Sequence, residues 1–432
     1  MTFAETLSEK ERKKGRIYAY FACIFGCISE VMLDSSAVVI IFFTMLDGGD
    51  MLTMLQTSFT AIMGALLYIP ASIINTRFGW KKVVHYSCMT GCLGFLLMAS
   101  APFFGAAAKF AALAGCLLYC VQRSAYGAAW YPLLDVFLRP QDRARFFGTM
   151  RFFYTCFTGT LLFLIGLWLQ KNPPIIFLQI VIGATGLCLL GRDFCISRFP
   201  DNDRDAPETP DVRKGLSIVI KNGPLTAYSV YLALLTMAYS SILPLTYLYL
   251  KQYVQMNAGT VQIISSVSIA GMAVGYFCYG HVLDRIKLKY LELMAHGTFA
   301  AVAFFLFFAD QSMPGFPVIM GATVFILCFA VSVYTCNNSA ELLALARPGN
   351  KTMAMAFVQS YSSIGAAIGR TVASLTLGTA MLSPVWDFFG REVSRYQTMF
   401  LVCGVMLLVL FFMLPSLPSF IPKHDDYYEP KK

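Results

Sequence analysis

The chain has 432 residues, of which 57% are hydrophobic and 13% charged, and its 33 Lys and Arg exceed its 24 Asp and Glu. Soluble domains carry about 25% charged residues, so the composition excludes a water-soluble protein of this size and predicts one that crosses a membrane several times. The thirteen Cys lie mainly inside apolar stretches and the four His are scattered. This pattern excludes a zinc or redox cluster, and we expect no metal and no cofactor.

Twelve apolar segments follow one another along the chain, each close to the length of about 20 residues that a membrane-spanning helix needs. The first begins at Ile17, after a basic N-terminal segment, and is too long for a cleavable signal peptide. They predict an all-α membrane protein with twelve transmembrane helices. The predicted spans are residues 17–46, 51–75, 83–103, 108–138, 146–170 and 174–191, then 224–250, 258–280, 290–309, 316–346, 352–382 and 396–415.

Basic residues divide the loops between these spans into two classes. The N-terminus, the even-numbered loops and the C-terminal tail hold most of them. Because basic loops stay in the cytoplasm, we expect both termini to be cytoplasmic, in the cell membrane (the inner membrane if the protein is bacterial). The odd-numbered loops hold only Lys109, Lys171, Lys251, Arg391 and Arg395.

One long polar linker separates two sets of six spans. Its charges are of mixed sign, which favours a solvated connection over a nucleic-acid or phosphoinositide patch. The predicted divisions are an N-terminal segment 1–16, a bundle 17–191, a cytoplasmic linker 192–221, a second bundle 222–415 and a tail 416–432.

The two halves repeat at an offset of 208 residues. A repeat in which both halves start on the same side predicts two pseudo-symmetric six-helix bundles, with a substrate site between them near the bilayer midplane. The matching positions are Arg77 with Arg285, Lys81 with Lys289, Tyr126 with Tyr334, Arg139 with Arg347, and Arg143 with Lys351.

Three segments of the chain resemble patterns of the major facilitator superfamily of transporters. Residues 72–82 are similar to the pattern G-x-x-x-D-R-x-G-R-K at Arg77, Gly79 and Lys81, with Thr76 in place of the Asp. Residues 280–289 match its first Gly, its Asp and its Arg, and residues 123–129 resemble R-x-x-Q-G-x-x-A with Tyr126 in place of the Gln.

The resemblance implies a transporter that works by alternating access, and not an enzyme. It also implies that loops at the cytoplasmic ends latch the two halves together, although simple loop solubility is an alternative. The predicted cytoplasmic gate comprises Arg77, Gly79, Lys81, Asp284, Arg285, Arg139, Arg143, Arg347 and Lys351.

Three charges lie well away from the ends of the first and fourth predicted spans. Glu30 and Asp34 are four residues apart on one helix face, and Arg123 lies midway along the fourth span. A charge facing lipid would cost about 2.5–3.5 kcal/mol, so these groups should face the bundle interior. Two carboxylates beside one arginine leave an acid in excess, which predicts a proton-coupling site. A permanent salt bridge, and direct contact of Arg123 with an anionic substrate, are the alternatives.

The substrate site is expected to use hydrogen-bonding and aromatic side chains. The same tyrosines also suit packing between helices or anchoring at an interface, and Glu341 suits the cytoplasmic gate. The predicted substrate-binding residues are Tyr126, Trp130, Tyr239, Tyr334, Asn338, Gln359 and Arg370.

The sequence therefore predicts a secondary transporter, a monomer in the lipid bilayer, that moves a small polar or anionic organic solute in symport with protons. A drug- or metabolite-exporting antiporter is the first alternative, although the fifth span, residues 146–170, lacks the Pro of the exporter pattern. A non-transporting sensor is the second. We expect no nucleic-acid partner.

Overall fold

A computed structural model describes residues 7–138, 143–171, 174–200, 212–283, 288–345, 351–379 and 381–414. Nearly all of this chain is helical, as the apolar runs predict. The helices are α1 Glu9–Asp34, α2 Val38–Met45, α3 Gly49–Phe78, α4 Trp80–Ser100, α5 Ala108–Asp135, α6 Arg143–Leu169, α7 Ile175–Ser197, α8 Val212–Ile220, α9 Gly223–Tyr239, α10 Ile242–Leu248, α11 Ala258–Leu283, α12 Leu288–Phe308, α13 Phe316–Leu345, α14 Lys351–Gly378 and α15 Arg395–Met413.

Ten segments of the described chain are long and apolar enough to span a membrane. One of them, 80–130, contains both α4 and α5. The protein is therefore a multi-pass membrane protein.

The two halves of the chain meet along two pairs of helices. Helix α3 packs against α14, and α6 packs against α11. The α3–α14 contact is tight enough that a Cβ added at Gly64 would lie 3.0 Å from the Ser363 hydroxyl. Two helix–helix seams thus join an N-terminal half, α1 to α7, to a C-terminal half, α9 to α15.

The first span of each half is broken at a pair of serines. Helix α1 ends at Asp34 and α2 begins at Val38, so that Ser35 and Ser36 lie in the gap. Helix α9 ends at Tyr239 and α10 begins at Ile242, on either side of Ser240 and Ser241. The predicted spans 17–46 and 224–250 were each expected to be one continuous helix, and this is wrong. Serine hydroxyls compete with the helix for backbone hydrogen bonds.

Neighbouring side chains satisfy the backbone at the first break. The Ser35 carbonyl accepts hydrogen bonds from the Tyr247 hydroxyl at 3.3 Å and from the Ser265 hydroxyl at 3.2 Å. Irregular backbone within a membrane persists only where protein or water replaces the lost hydrogen bonds. Because both donors belong to the C-terminal half, the break in α1 is held by the opposite half.

The halves are closed at one end of the molecule. There, Arg395 pairs with Asp50, which also accepts from the Tyr396 hydroxyl, and the Ser374 hydroxyl donates to the Met51 carbonyl at 2.7 Å. A two-stranded hairpin, β1 Val385–Phe388 and β2 Arg391–Ser394, lies at this end and was not predicted.

Further along the α3–α14 seam the last turns of α3 are uncovered. Ile73, Ile74 and Phe78 are 43%, 46% and 60% exposed. The α3–α14 seam is therefore closed at the hairpin end, and the last turns of α3 carry exposed apolar side chains of the kind that face lipid.

The predicted end of the first bundle differs from the structure. Helix α7 continues to Ser197, six residues past the expected boundary at 191. Arg192, assigned to the linker from the sequence, lies inside this helix and is 1% exposed. Part of the predicted linker forms the short helix α8, Val212–Ile220.

Candidate functional site

An ion pair joins the end of α1 to the middle of α5. Asp34 is the last residue of α1, and its carboxylate accepts from the Arg123 guanidinium. The side chains are 22% and 24% exposed. A carboxylate at a helix C-terminus adds to the negative end of the helix dipole, and Arg123 compensates both. The sequence prediction that Asp34 and Arg123 meet is confirmed.

Glu30, which was expected to share Arg123, has a different partner. Its carboxylate accepts from Arg192 of α7 at 2.6 Å. Arg192 also donates from Nε to the Ala22 carbonyl at 3.3 Å, and its guanidinium lies 3.9 Å from the centre of the Tyr126 ring. Both carboxylates act electrostatically on Arg123, as expected, but the structure adds a second arginine that pairs with Glu30, and sequence reasoning did not foresee it.

Sequence reasoning missed Arg192 because it stands at the edge of an apolar run, where a basic residue also suits a loop. The sequence of α1 contains an indication of the buried arginine. Gly26 lies one turn before Glu30, and a Cβ added there would lie 1.5 Å from the Arg192 Cζ atom. The small residue in the polar stripe of α1 therefore makes room for a guanidinium.

Tyr126 and Trp130 lie in the core of the N-terminal half. They are 6% and 9% exposed, and their ring centres are 5.4 Å apart. Arg192 covers the Tyr126 ring, and a substrate role for either residue stays a prediction.

Arg370 of α14 connects the two halves at their centre. Its Nε donates to the carbonyl of Ser240, the residue that caps α9, at 3.2 Å, and a terminal nitrogen donates to the Thr57 carbonyl of α3 at 2.6 Å. Asp34 and Arg123 both act on Arg370 electrostatically. The three charged groups therefore share one region, bordered by both helix breaks.

The charge balance of this region is the reverse of the one expected. With Glu30 held by Arg192, the remaining described charges are the carboxylate of Asp34 and the guanidinium groups of Arg123 and Arg370. Two cations and one acid can bind an anion, particularly when the acid is protonated. Among the described residues no group of three His, Cys, Asp or Glu is placed to hold a metal ion.

The sequence matches the family model of the Major Facilitator Superfamily over residues 19–370 and 231–426. The chain belongs to this superfamily. No curated protein matches the chain.

Solved transporters share the fold. The crystal structure of a point mutant of the nucleoside transporter NupG is 14% identical, with a TM-score of 0.71, over 94% of this chain and 99% of that one. The D-xylose-proton symporter is 11% identical, with a TM-score of 0.76, over 96% and 99%. A bacterial homologue of the iron transporter ferroportin, in an inward-facing state, is 11% identical, with a TM-score of 0.64, over 98% and 100%.

In the superfamily loop between α3 and α4, the contacts of the described residues lie within the N-terminal half. Gly79 has a φ of 89°, which a glycine adopts without strain. Lys81 donates to the Phe199 carbonyl at 2.7 Å, beyond the end of α7 in its own half. Arg77 is exposed, near the Phe78 ring. The predicted gate residues Arg139, Asp284, Arg285 and Arg347, and the side chains of Arg143 and Lys351, lie outside the described part.

The remaining predicted substrate residues belong to the C-terminal half. Tyr239 stacks on Phe299 with centroids 4.9 Å apart, and its ring meets Tyr334 edge-on at 5.6 Å. Asn338 accepts from the Tyr228 hydroxyl at 2.5 Å. These tyrosines and the amide pack within their own half. Gln359 is exposed on α14.

Arg151 belongs to the predicted fifth span, residues 146–170, and no role was predicted for it. It lies within α6, where its guanidinium is 5.3 Å from the centre of the Tyr276 ring and donates to Cys336 Sγ at 3.7 Å. Both partners belong to the C-terminal half. Arg151 thus adds a cation to the α6–α11 seam.

Proposed function

We propose that this transporter moves a small anionic organic solute together with protons by alternating access. The observation that carries the proposal is the Asp34–Arg123 pair at the break of α1, with Arg370 in electrostatic range. A guanidinium is the preferred partner of carboxylate and phosphate groups, and this region has one more guanidinium than it has acids.

Protonation of Asp34 would couple proton binding to the binding of the anionic solute. While Asp34 is ionised, it occupies the Arg123 guanidinium. Once Asp34 is protonated, Arg123 is released for the negative group of the solute, so each ligand favours the binding of the other. A single negative charge and one proton then cross together, and the transport step carries no net charge.

Alternating access would move this region between the two sides. We propose twelve spans with both termini in the cytoplasm, because α14 completes the C-terminal bundle and the basic loops lie on one side. With that orientation, the closed hairpin end is the outer end, so this state is closed toward the outside.

A neutral polar solute is the second candidate, supported by the printed functions of two similar structures, a nucleoside transporter and a D-xylose-proton symporter. Both are less than 25% identical to this chain, so their substrates do not transfer by likeness alone. A proton-driven exporter of drugs or metabolites is the third.

Uptake into proteoliposomes tests these candidates. The purified protein is given uridine, D-xylose, lactate and succinate, each radiolabelled, with the external medium more acidic than the lumen. We expect a carboxylate to accumulate and the external medium to become more alkaline. Accumulation of only the neutral solutes contradicts the anionic assignment. Depletion under the same gradient contradicts symport and favours an antiporter.

A further inference from the structure

A second group of buried acidic side chains lies inside the C-terminal half. Glu292 of α12 and Glu341 of α13 are each 1% exposed. Asn337, one turn before Glu341 on the same helix face, donates to Glu292 Oε2 at 2.9 Å and accepts from the Tyr279 hydroxyl at 2.9 Å. We call Glu292, Asn337, Glu341 and Tyr279 the C-terminal acid cluster.

Three carboxylate oxygens of the C-terminal acid cluster lack partners. Within the part of the chain that the structure describes, Glu292 Oε1 and both oxygens of Glu341 accept no hydrogen bond. The two carboxyl groups also act on one another electrostatically. The cluster therefore holds two acids and far fewer donors than two carboxylates need.

Among the described side chains, the basic group beside Glu292 is His296, one turn after it on α12. Its ring nitrogen Nδ1 lies 3.6 Å from Glu292 Oε1 and 2.8 Å from the Glu292 backbone carbonyl. The shorter distance marks the backbone carbonyl as the acceptor of the Nδ1 proton. This nitrogen consequently gives no hydrogen bond to the Glu292 side chain.

Among the described side chains, those that face the cluster from the helices packed around it are neutral. Helix α9 contributes Tyr231, which donates to the Leu410 carbonyl at 3.0 Å, and α13 contributes Tyr334, whose buried hydroxyl has no hydrogen-bond partner among the described residues. From α15, Phe411 faces Gly297. Among the described residues, no lysine or arginine forms an ion pair with Glu292 or Glu341.

An ionised carboxylate buried without a cation or donors is strongly disfavoured, and such a group takes up a proton instead. The neutral acid gains a donor of its own, which can serve a neighbouring carboxyl oxygen. Two carboxyl groups that interact in this way share their protons as a pair. We propose that Glu292 and Glu341 form a second proton-binding site, inside the C-terminal half, that holds at least one proton at neutral pH.

The site is linked to the central region by aromatic contacts. The His296 ring meets Tyr334 with centroids 5.9 Å apart, and Tyr334 meets Tyr239 at 5.6 Å. Tyr239 in turn lies within electrostatic range of Arg370. His296, Tyr334 and Tyr239, which all carry polar groups, thus form a continuous row from the acid cluster to the boundary between the halves.

Infrared spectroscopy of the purified full-length protein tests the proposal without any transported solute, because a protonated carboxyl group has a carbonyl band that an ionised one lacks. Spectra are compared at neutral pH for the wild type, Glu292→Gln and Glu341→Gln. The control variants are Asp34→Asn and Glu392→Gln, the latter at an exposed position on β2. Because a shared proton can stay on the remaining acid in either single variant, we expect the band to lose at least one carboxyl equivalent in the double variant Glu292→Gln/Glu341→Gln and to stay unchanged in the exposed control.

An unchanged band in the double variant Glu292→Gln/Glu341→Gln would show that both acids are ionised and would overturn the proposal. Glu292→Asp and Glu341→Asp keep the acid and are used if either Gln variant fails to fold; a cluster acid that is protonated then shifts the band. If neither Asp variant changes the band, the proposal also fails. Neither result for the acid cluster decides whether Asp34 binds a proton, because the Asp34→Asn spectrum tests that group separately.

Discussion

The guanidinium of Arg192 lies 2.6 Å from the carboxylate of Glu30, in a slot on α1 that Gly26 leaves open. The guanidinium also lies 3.9 Å from the centre of the Tyr126 ring, so the positive charge contacts both an acid and an aromatic ring. Arg192 is 1% exposed. The pair joins α1 and α7 within one half, and Glu30 is therefore already neutralised before any proton or solute arrives.

Removing Arg192 should destabilise the N-terminal half. In Arg192→Met the Glu30 carboxylate loses its cation in a largely buried position, which costs about 3 kcal/mol. We expect a lower melting temperature for the purified protein. The matched control is Arg198→Met, at an exposed position just past the end of the same helix, which should melt like the wild type. Glu30→Gln combined with Arg192→Met should recover part of the loss, and no recovery would contradict the pairing.

Gly26→Ala should destabilise the protein through the same guanidinium. The added Cβ would lie 1.5 Å from Arg192 Cζ, so the arginine must leave its position. In an Arg192→Ala background the slot is empty, and the same substitution should cost about 1 kcal/mol less or even be neutral. A double-mutant cycle on melting temperatures measures this coupling. Equal effects of Gly26→Ala in both backgrounds would exclude the steric explanation.

The sequence was sufficient for the membrane class and the halves, because span length and loop charge act locally along the chain. It was also sufficient for the Asp34–Arg123 pair, since both charges lie well inside apolar runs and have to find a partner. The pairing of Glu30 was missed because Arg192 lies at the end of a span, where the hydropathy pattern does not distinguish a buried arginine from a loop residue.

The acid cluster was missed for a related reason. Glu292 and Glu341 lie near the ends of α12 and α13, where sequence alone places polar residues in the interface or a gate. Only packing shows that both are buried. The breaks in α1 and α9 had a signal that was not used, the serine pairs 35–36 and 240–241.

Asp50→Asn should loosen the closed end of the molecule. The Asp50 carboxylate accepts from both Arg395 and Tyr396 across the boundary between the halves, and a hydrogen bond to a charged group is worth about 1.5–3 kcal/mol. We expect amide hydrogen exchange in residues 46–57 and 384–397 to become about tenfold faster, as each 1.4 kcal/mol is tenfold. Asp47→Asn, at an exposed position just before α3, should not change it. Unchanged exchange in Asp50→Asn would mean that other contacts hold this end.

The decisive comparison for coupling is between Glu30→Gln and Asp34→Asn, two isosteric changes one helical turn apart. Asp34 faces Arg123, whereas Glu30 is held by Arg192. In Asp34→Asn the amide cannot be ionised, so Arg123 stays available to an anion at every pH. We expect the exchange of labelled for unlabelled carboxylate across the vesicle membrane to persist, and this exchange should no longer depend on pH. Accumulation under a proton gradient should fall about tenfold, the equivalent of 1.4 kcal/mol. Glu30→Gln should keep proton-driven accumulation, with a lower melting temperature, because its partner is a permanent cation within the same half. If instead Glu30→Gln abolishes accumulation while Asp34→Asn retains it, the coupling acid is Glu30, and Arg192 must release it during the transport cycle.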